Sequence, residues 1–257
     1  MPNKLEIALI QVPLFWEDPE RNRELFSRKM ESISNKTDII VLPEMFTTGF
    51  TMAPENLDPR EGEITVAWMQ EKAKEYNAAV VGSIVIFEGG RYFNRLFFVK
   101  PDGRAFHYDK RHTFTLAGED KVYQAGTEKL NVDFRGFKIC PLICYDLRFP
   151  VWARNSSECD VLIYVANWPT PRIMAWDTLL KARAIENMVY CIGVNRIGQD
   201  KTGHDYPGHS AVCDTLGERL AFSQVEEIVV ATLNKDHIVE TRKKLGFLED
   251  RDAFILK

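Results

Sequence analysis

The segment Lys138-Ile139-Cys140-Pro141-Leu142-Ile143-Cys144-Tyr145-Asp146-Leu147-Arg148-Phe149-Pro150 runs from an apolar stretch into a charged turn. Apolar residues at consecutive positions fit a strand covered on at least one face, often both. The same pattern recurs at Leu5–Gln11, Ile39–Leu42, Ala79–Phe87, Tyr92–Lys100, Val161–Ala166, Tyr190–Arg196, Ser210–Asp214 and Ile228–Leu233, with the segment above predicting a strand over Lys138–Cys144. Amphipathic helices fit between them. Pro19–Ser34 carries Leu25, Phe26, Met30 and Ile33 on one stripe behind an Asp18 N-cap. Thr65–Tyr76 carries Val66, Met69 and Ala73, and Ile173–Val189 turns Trp176, Leu179, Leu180, Ile185 and Met188 inward. Gly89-Gly90 and Pro101-Asp102-Gly103 read as hairpin turns. No Ser/Gly-rich linker, composition break or repeat interrupts this order. The expectation is a single α/β domain over residues 1–257. Its final stretch, about residues 236–257, is charged but interrupted by Leu245, Phe247, Leu248, Phe254 and Ile255, and is expected to dock on the body or on a partner chain.

Composition narrows the function classes. Hydrophobic residues make up 45% of the 257, too many for a disordered chain. Basic residues number 33 against 37 acidic, a net charge of −4, which offers nucleic acid no basic surface. Apolar runs such as Ala78 to Phe87 fall far short of the roughly 20 residues a membrane-spanning helix needs. No charged-then-apolar leader precedes Leu5, and the five cysteines are odd in number. Both observations point to free thiols in a reducing cytoplasm. The Asn-X-Ser/Thr triplets at Asn35 and Asn155 then carry no glycosylation meaning.

Several familiar sites fail on their defining residues. Cys140 and Cys144 are separated by three residues, and no second Cys/His pair follows to complete a zinc knuckle. His204 and His209 flank a Gly/Pro loop without helical spacing. Gly198-X4-Gly203 begins like a phosphate loop, but His204 stands where lysine is required. Neither a Gly-X-Gly-X-X-Gly string nor a Gly-X-Ser-X-Gly elbow occurs.

One constellation survives. Ile39-Ile40-Val41-Leu42-Pro43 ends in Glu44, Tyr108-Asp109 ends in Lys110, and Lys138 to Ile143 ends in Cys144. Sites in α/β sheets gather outside strand ends, where side chains distant in sequence converge. The three have complementary chemistry. A free thiol is only a few per cent ionised at neutral pH, so a nearby carboxylate is needed to take its proton. An adjacent ammonium stabilises the thiolate and then an oxyanion, and the Tyr145 N–H supplies a second oxyanion donor.

The strings Leu42-Pro43-Glu44-Met45-Phe46, Tyr108-Asp109-Lys110-Arg111-His112 and Ile143-Cys144-Tyr145-Asp146-Leu147-Arg148-Phe149-Pro150 resemble the three signature segments of the nitrilase superfamily, the carbon–nitrogen hydrolases with a Glu–Lys–Cys triad. Order and spacing match, and the resemblance extends from Ile7 to the Asp250-Arg251-Asp252 tail. It implies a four-layer αββα sandwich and a homodimer or higher homo-oligomer joined through helices and C-terminal segments. It assigns Glu44 as general base, Lys110 as oxyanion stabiliser, Cys144 as nucleophile and Glu119 as a second glutamate near the triad, with no metal and no organic cofactor. Val165-Ala166-Asn167-Trp168-Pro169-X-Pro171-Arg172, Lys181 to Asn187, Gly49-Phe50 and Asn195-Arg196-Ile197-Gly198 are similar to the ω-amidase branch. That branch hydrolyses the terminal amide of 2-oxoglutaramate or 2-oxosuccinamate to a dicarboxylate and ammonia, here through a thioester. In this reading Phe46, Phe50 and Trp168 form pocket walls and Arg172 binds the substrate carboxylate, with Arg148 and Arg196 as alternatives. Competing readings are another specificity in the same superfamily (a nitrile, a carbamoyl-amino acid or another aliphatic amide), a non-catalytic binding protein, and a thiol redox sensor pairing Cys144 with Cys140.

Overall fold

A computed structural model describes residues 3–33, 36–156 and 158–255. Ser34, the expected end of the first helix, and the triplet residue Asn35 lie outside the described residues. The chain alternates as the apolar runs require. β1 (Lys4–Gln11), α1 (Pro19–Glu31), β2 (Ile39–Val41), α2 (Glu61–Glu75), β3 (Ala79–Glu88), β4 (Arg91–Val99) and β5 (Ala105–Asp109) make the first half. A short α3 (Glu119–Val122) leads to β6 (Val132–Phe134), β7 (Phe137–Ile143), α4 (Pro150–Ala153), β8 (Val161–Ala166), α5 (Ile173–Asn187) and β9 (Tyr190–Asn195). Then follow β10 (Ile197–Gln199), β11 (Asp205–Pro207), β12 (Ser210–Cys213), β13 (Arg219–Ser223), β14 (Glu227–Asn234) and α6 (Lys235–Leu245).

Two six-stranded sheets result, in the orders β14-β1-β2-β3-β4-β5 and β13-β12-β9-β8-β7-β6, with β10 and β11 forming a separate ribbon. Successive strand residues point to opposite faces, so a strand apolar throughout feeds two cores. In the first sheet Leu5, Ile7, Leu9, Ile39, Val41, Leu96 and Phe98 face the second sheet. Their neighbours Ile10, Ile40, Val80, Phe97 and Val99 face α1 and α2, where Phe26, Met30, Met69 and Ala73 meet them. On the far side Trp176, Leu180 and Ala184 of α5 cover the second sheet. The layers run helix, sheet, sheet, helix: the αββα sandwich.

Local signals set the helix ends. Asp18 caps α1 by accepting from the Arg21 N–H at 3.2 Å, and Pro19 occupies the first turn, where its missing N–H costs nothing. α2 begins at Glu61, before the expected Thr65, because its acidic first turn contains no apolar periodicity. Ile185 corrects the inward stripe of α5: it is 50% exposed, since Trp176, Leu180 and Ala184 mark the buried face at intervals of four and Ile185 falls beyond it. Met188 is buried but lies past the helix, as its left-handed C-cap. The charged C-terminal stretch begins as α6, which buries Ile238 and sends Arg242 to the carbonyls of Met188 (3.0 Å) and Cys159 (2.5 Å). Asn155 is buried and bonded to Asn187 and Cys159, as a structural amide. No helix among the described residues is long and apolar enough to cross a membrane.

Candidate active site

Both sheets deliver side chains to one seam. Beyond β2, Leu42-Pro43 carry the chain to Glu44, which is fully buried. Met45 then turns through a left-handed conformation (φ 44°), its N–H held by Ser83 Oγ at 2.9 Å. Lys110 follows β5 directly, its N–H bonded to the Asn94 carbonyl at 3.0 Å. Cys144 follows β7 and opens a 3₁₀ turn, Cys144–Arg148, at φ 42°. A non-glycine residue in that region stores about 1–3 kcal/mol of strain, which the surrounding structure must hold in place. Tyr145, second in the turn, has its N–H among the helix-start donors that lack an intrahelical acceptor.

The buried charges form one network. Lys110 Nζ lies 2.8 Å from Glu44 Oε1 and 2.8 and 3.0 Å from the two Glu119 oxygens. Asn94 Nδ2 donates to Glu44 Oε1 at 2.9 Å and to Glu119 Oε1 at 3.1 Å. Glu44 Oε2 accepts the Asn167 N–H at 2.8 Å, and Glu119 Oε2 accepts the Phe114 N–H at 2.5 Å. Burial works against the Lys110 charge, but Glu119, Glu44 and the neighbouring Cys144 outweigh it and hold the ammonium above the ordinary lysine range. Burial raises the Glu119 carboxyl, with Glu44 adding to the rise and Lys110 opposing it. Burial and then Glu44 push the Cys144 thiol well above its ordinary value, against the pull of Lys110. A thiol whose proton is held more tightly than usual becomes a nucleophile by handing that proton to a neighbouring base, and Glu44 lies beside it.

A third buried carboxylate, Asp146, ties the sheets together. Asp146 accepts Tyr108 OH (2.8 Å) and the Ile143 N–H (3.0 Å) on one oxygen. On the other it accepts the His112 N–H (3.1 Å) and faces His112 Nδ1 (2.8 Å). The turn bearing Cys144 is thus fixed to the chain that follows Lys110. Gly126 supports the same chain from behind. Its N–H bonds the Lys110 carbonyl at 2.9 Å, and a Cβ there would lie 2.3 Å from the Asp109 carbonyl oxygen. Backbone cannot swing aside, so Gly126→Ala is expected to cost about 1–3 kcal/mol by overpacking and to lower kcat along with it. Thermal melts and ammonia release check this, and a variant with unchanged melting and turnover contradicts it.

A cavity of about 290 Å³ opens above these groups, with Lys110 and Cys144 on its floor and Phe50, Met52, Phe114 and Trp168 in its walls. Arg148 and Arg172 also line it, stacked over the Trp168 ring (4.9 Å) and the Phe114 ring (5.0 Å). Among the described residues neither guanidinium is ion-paired to a carboxylate. The loop 200–204 brings Asp200, Thr202 and His204 to the rim, whereas His209 pairs elsewhere with Asp177.

Two expected positions are corrected. Phe46 is fully buried on the helix side of the first sheet, edge-on to Phe26 (5.3 Å) and against Trp68 (5.8 Å). The left-handed Met45 turns the chain between Glu44 and Phe46, so the aromatic ring leaves the pocket that the carboxylate serves. Arg196, one of the alternative arginines, is also fully buried. It donates to the carbonyls of Gln199 (3.2 Å) and Leu14 (3.4 Å) and stacks on Tyr206 at 4.7 Å. Of the five free cysteines four are buried, and only Cys144 is partly open. It lies beyond the strand that holds Cys140, and Cys140 packs beside Cys159 in the core, away from the role of resolving thiol.

Asn94, Asn167 and Asp146 are site residues that motif reading leaves without a role. The signal for Asn94 is an amide followed by Arg95 inside the otherwise apolar run Tyr92–Lys100. Both Asn94 Oδ1 and Asn167 Oδ1 are buried with no partner among the described residues. The amide nitrogens are the engaged ends: Asn94 Nδ2 donates to both carboxylates, and Asn167 Nδ2 donates to the Glu44 main-chain carbonyl at 2.7 Å.

Comparison with known proteins identifies the family. A family model described as carbon-nitrogen hydrolase matches residues 6–243. An omega-amidase YafV from Yersinia enterocolitica is 45% identical over 257 residues, covering 98% of each chain. A 2-oxoglutaramate amidase from Bacillus subtilis is 32% identical, covering 96% of this chain and 97% of its own. A CN-hydrolase superfamily protein from Xanthomonas campestris, crystallised with an arsenic adduct in its active site, superimposes with a TM-score of 0.96 at 38% identity over 100% of both chains.

Proposed function

The chain belongs to the carbon-nitrogen hydrolase family and is a hydrolase of carbon–nitrogen bonds other than peptide bonds, and from that premise we propose that it is an ω-amidase acting on small ω-amido keto acids such as 2-oxoglutaramate. The observation that carries this reading is the pair of guanidiniums, Arg148 and Arg172, facing a cavity whose floor holds Cys144 and Lys110. A substrate amide placed at the thiol leaves its carboxylate end to an arginine fork, and the stacked aromatic rings hold each fork in place. The names of the 45% and 32% identical relatives point to the same substrate class.

In the proposed mechanism Glu44 takes the Cys144 proton as sulfur attacks the amide carbon. Lys110 and the Tyr145 N–H hold the oxyanion. Glu44 passes its proton to the departing nitrogen, ammonia leaves and a thioester remains. Glu44 then takes a proton from water, whose oxygen attacks the thioester, and returns that proton to sulfur. Glu119 keeps Lys110 cationic throughout, through the contacts at 2.8 and 3.0 Å.

The test is ammonia release from 2-oxoglutaramate beside glutamine, a simple nitrile and a carbamoyl-amino acid. The keto acid amide is expected to be the fastest, and a faster nitrile or carbamoyl substrate overturns the assignment. For Arg172→Met, loss of a charge-assisted bond worth about 1.5–3 kcal/mol is expected to raise KM for 2-oxoglutaramate by about 10- to 150-fold. A neutral aliphatic amide should change little. An equal effect on both substrates would show that Arg172 shapes the wall and does not bind the carboxylate.

A further inference from the structure

Glu44 has two oxygens, and their environments differ. Oε1 receives Lys110 Nζ at 2.8 Å and Asn94 Nδ2 at 2.9 Å, two donors for its two lone pairs. Oε2 receives the Asn167 N–H at 2.8 Å, with Asn167 Nδ2 at a long 3.4 Å, and so retains accepting capacity. We infer that Asn94 is a positioning residue: with Lys110 it saturates Oε1, leaving Oε2 as the oxygen that receives the Cys144 proton. The inference rests on the reading of Glu44 as general base.

The geometry gives Asn94 no freedom to do otherwise. Its amide lies between two carboxylates and its Oδ1 is buried without a partner. Flipping the amide would set that oxygen against Glu44 and Glu119. Its carbonyl holds the Lys110 N–H at 3.0 Å, so a single strand residue registers the ammonium by its backbone and both carboxylates by its side chain. In the step itself the S–H proton moves to Oε2, its electron pair stays on sulfur, and sulfur forms the bond to the amide carbon. Without the Asn94 amide, Oε1 regains a lone pair, and a proton accepted there faces Lys110 instead of the departing nitrogen.

The experiment compares Asn94→Leu, Asn94→Asp and Glu44→Gln with the wild-type enzyme, reading ammonia release from 2-oxoglutaramate and melting temperature. Asn94→Leu keeps the branching and removes the donors. Its kcat is expected to fall about 100-fold with KM within about threefold. A kcat within about threefold of wild type, or a loss that merely tracks the folded fraction, overturns the inference. Should Asn94→Leu not fold, Asn94→Asp carries the decision. Its new carboxyl faces Glu44 from the end of β2, Glu119 from α3 and Lys110 from the end of β5, with Cys144 beyond. Ionised, it repels both acids, and protonated, it donates again as the amide did. The ratio of Asn94→Asp to wild-type kcat is therefore expected to rise at least about fivefold between about pH 8 and about pH 6, and a constant ratio overturns the inference. Glu44→Gln separates the two levels. If it retains turnover, the general-base reading itself fails. If it is inactive while Asn94→Leu turns over normally, only the role of Asn94 falls.

Discussion

Cys144→Ala is expected to lose at least about 10⁴-fold in kcat and to form no acyl-enzyme, while its melting temperature stays within a few degrees of wild type. The activity loss follows from the thiol's place on the cavity floor, beside Glu44 and Lys110. The small stability change follows from the backbone, since alanine inherits the left-handed φ of 42°. Cys144→Gly sharpens the point. Glycine occupies that region without a steric penalty, so the glycine variant should be more stable than the alanine variant by about 1 kcal/mol and equally inactive. Intact-mass measurement during turnover should show a substrate-sized adduct on the wild-type protein only. Undiminished ammonia release from Cys144→Ala would remove the thiol from the mechanism.

The second large effect is expected from Lys110→Met. Methionine fills much of the lysine volume but leaves Glu44 and Glu119 buried together with no cation. Breaking a buried ion pair by removing one partner costs about 3–5 kcal/mol, and the oxyanion loses its charged donor. The loss should depend on pH in a defined direction. Burial already raises the Glu119 carboxyl with Lys110 present, and the substitution removes what opposes that rise. The folded variant then holds a proton that the unfolded chain releases. Its stability must fall as pH climbs from the ordinary carboxyl range towards the raised value, and recover on acidification. Urea unfolding at about pH 5 and about pH 8 reads this directly, with greater stability expected at the lower pH. Equal stability at the two values, or a trend in the other direction, would mean that the carboxyls do not share one enclosed site.

Legibility in the sequence tracks a simple geometric fact. Glu44 and Cys144 each stand just beyond an apolar run, where the change to a polar turn is visible without coordinates, while Lys110 follows the mixed string Phe106-His107-Tyr108-Asp109 and is legible through its motif. Asn94 stands inside such a run and reads as an interruption of it, because nothing local shows that two carboxylates from other elements meet its amide. Phe46 shows the opposite failure. Nearness to Glu44 along the chain suggests a shared pocket, but one left-handed residue sends the ring to the helix layer. Edge elements fade for another reason. β5 and β13 are half-exposed and carry charged or small residues, which dilute the apolar pattern. α6 buries only Ile238, so its stretch reads as a charged tail and not as a helix with a face. The α/β character was accessible because most central strands are apolar at consecutive positions, as strands under cover need to be, whereas the four-layer order came from the resemblance to the nitrilase superfamily.

The pairing of β14 with β1 sets an order of events. Among the described strands β1 comes first in the chain and β14 last, yet Lys4 lies opposite Asn234 and Gln11 opposite Glu227 in one antiparallel ladder. Every strand of the second sheet lies between them in the chain. During synthesis, then, the outer edge of β1 waits unpaired until the whole second sheet has left the ribosome. An unpaired edge is a template for another chain. Truncation before residue 227 would therefore leave a protein with Cys144 and Glu44 both encoded and its flank open, expected to aggregate more readily than the full chain.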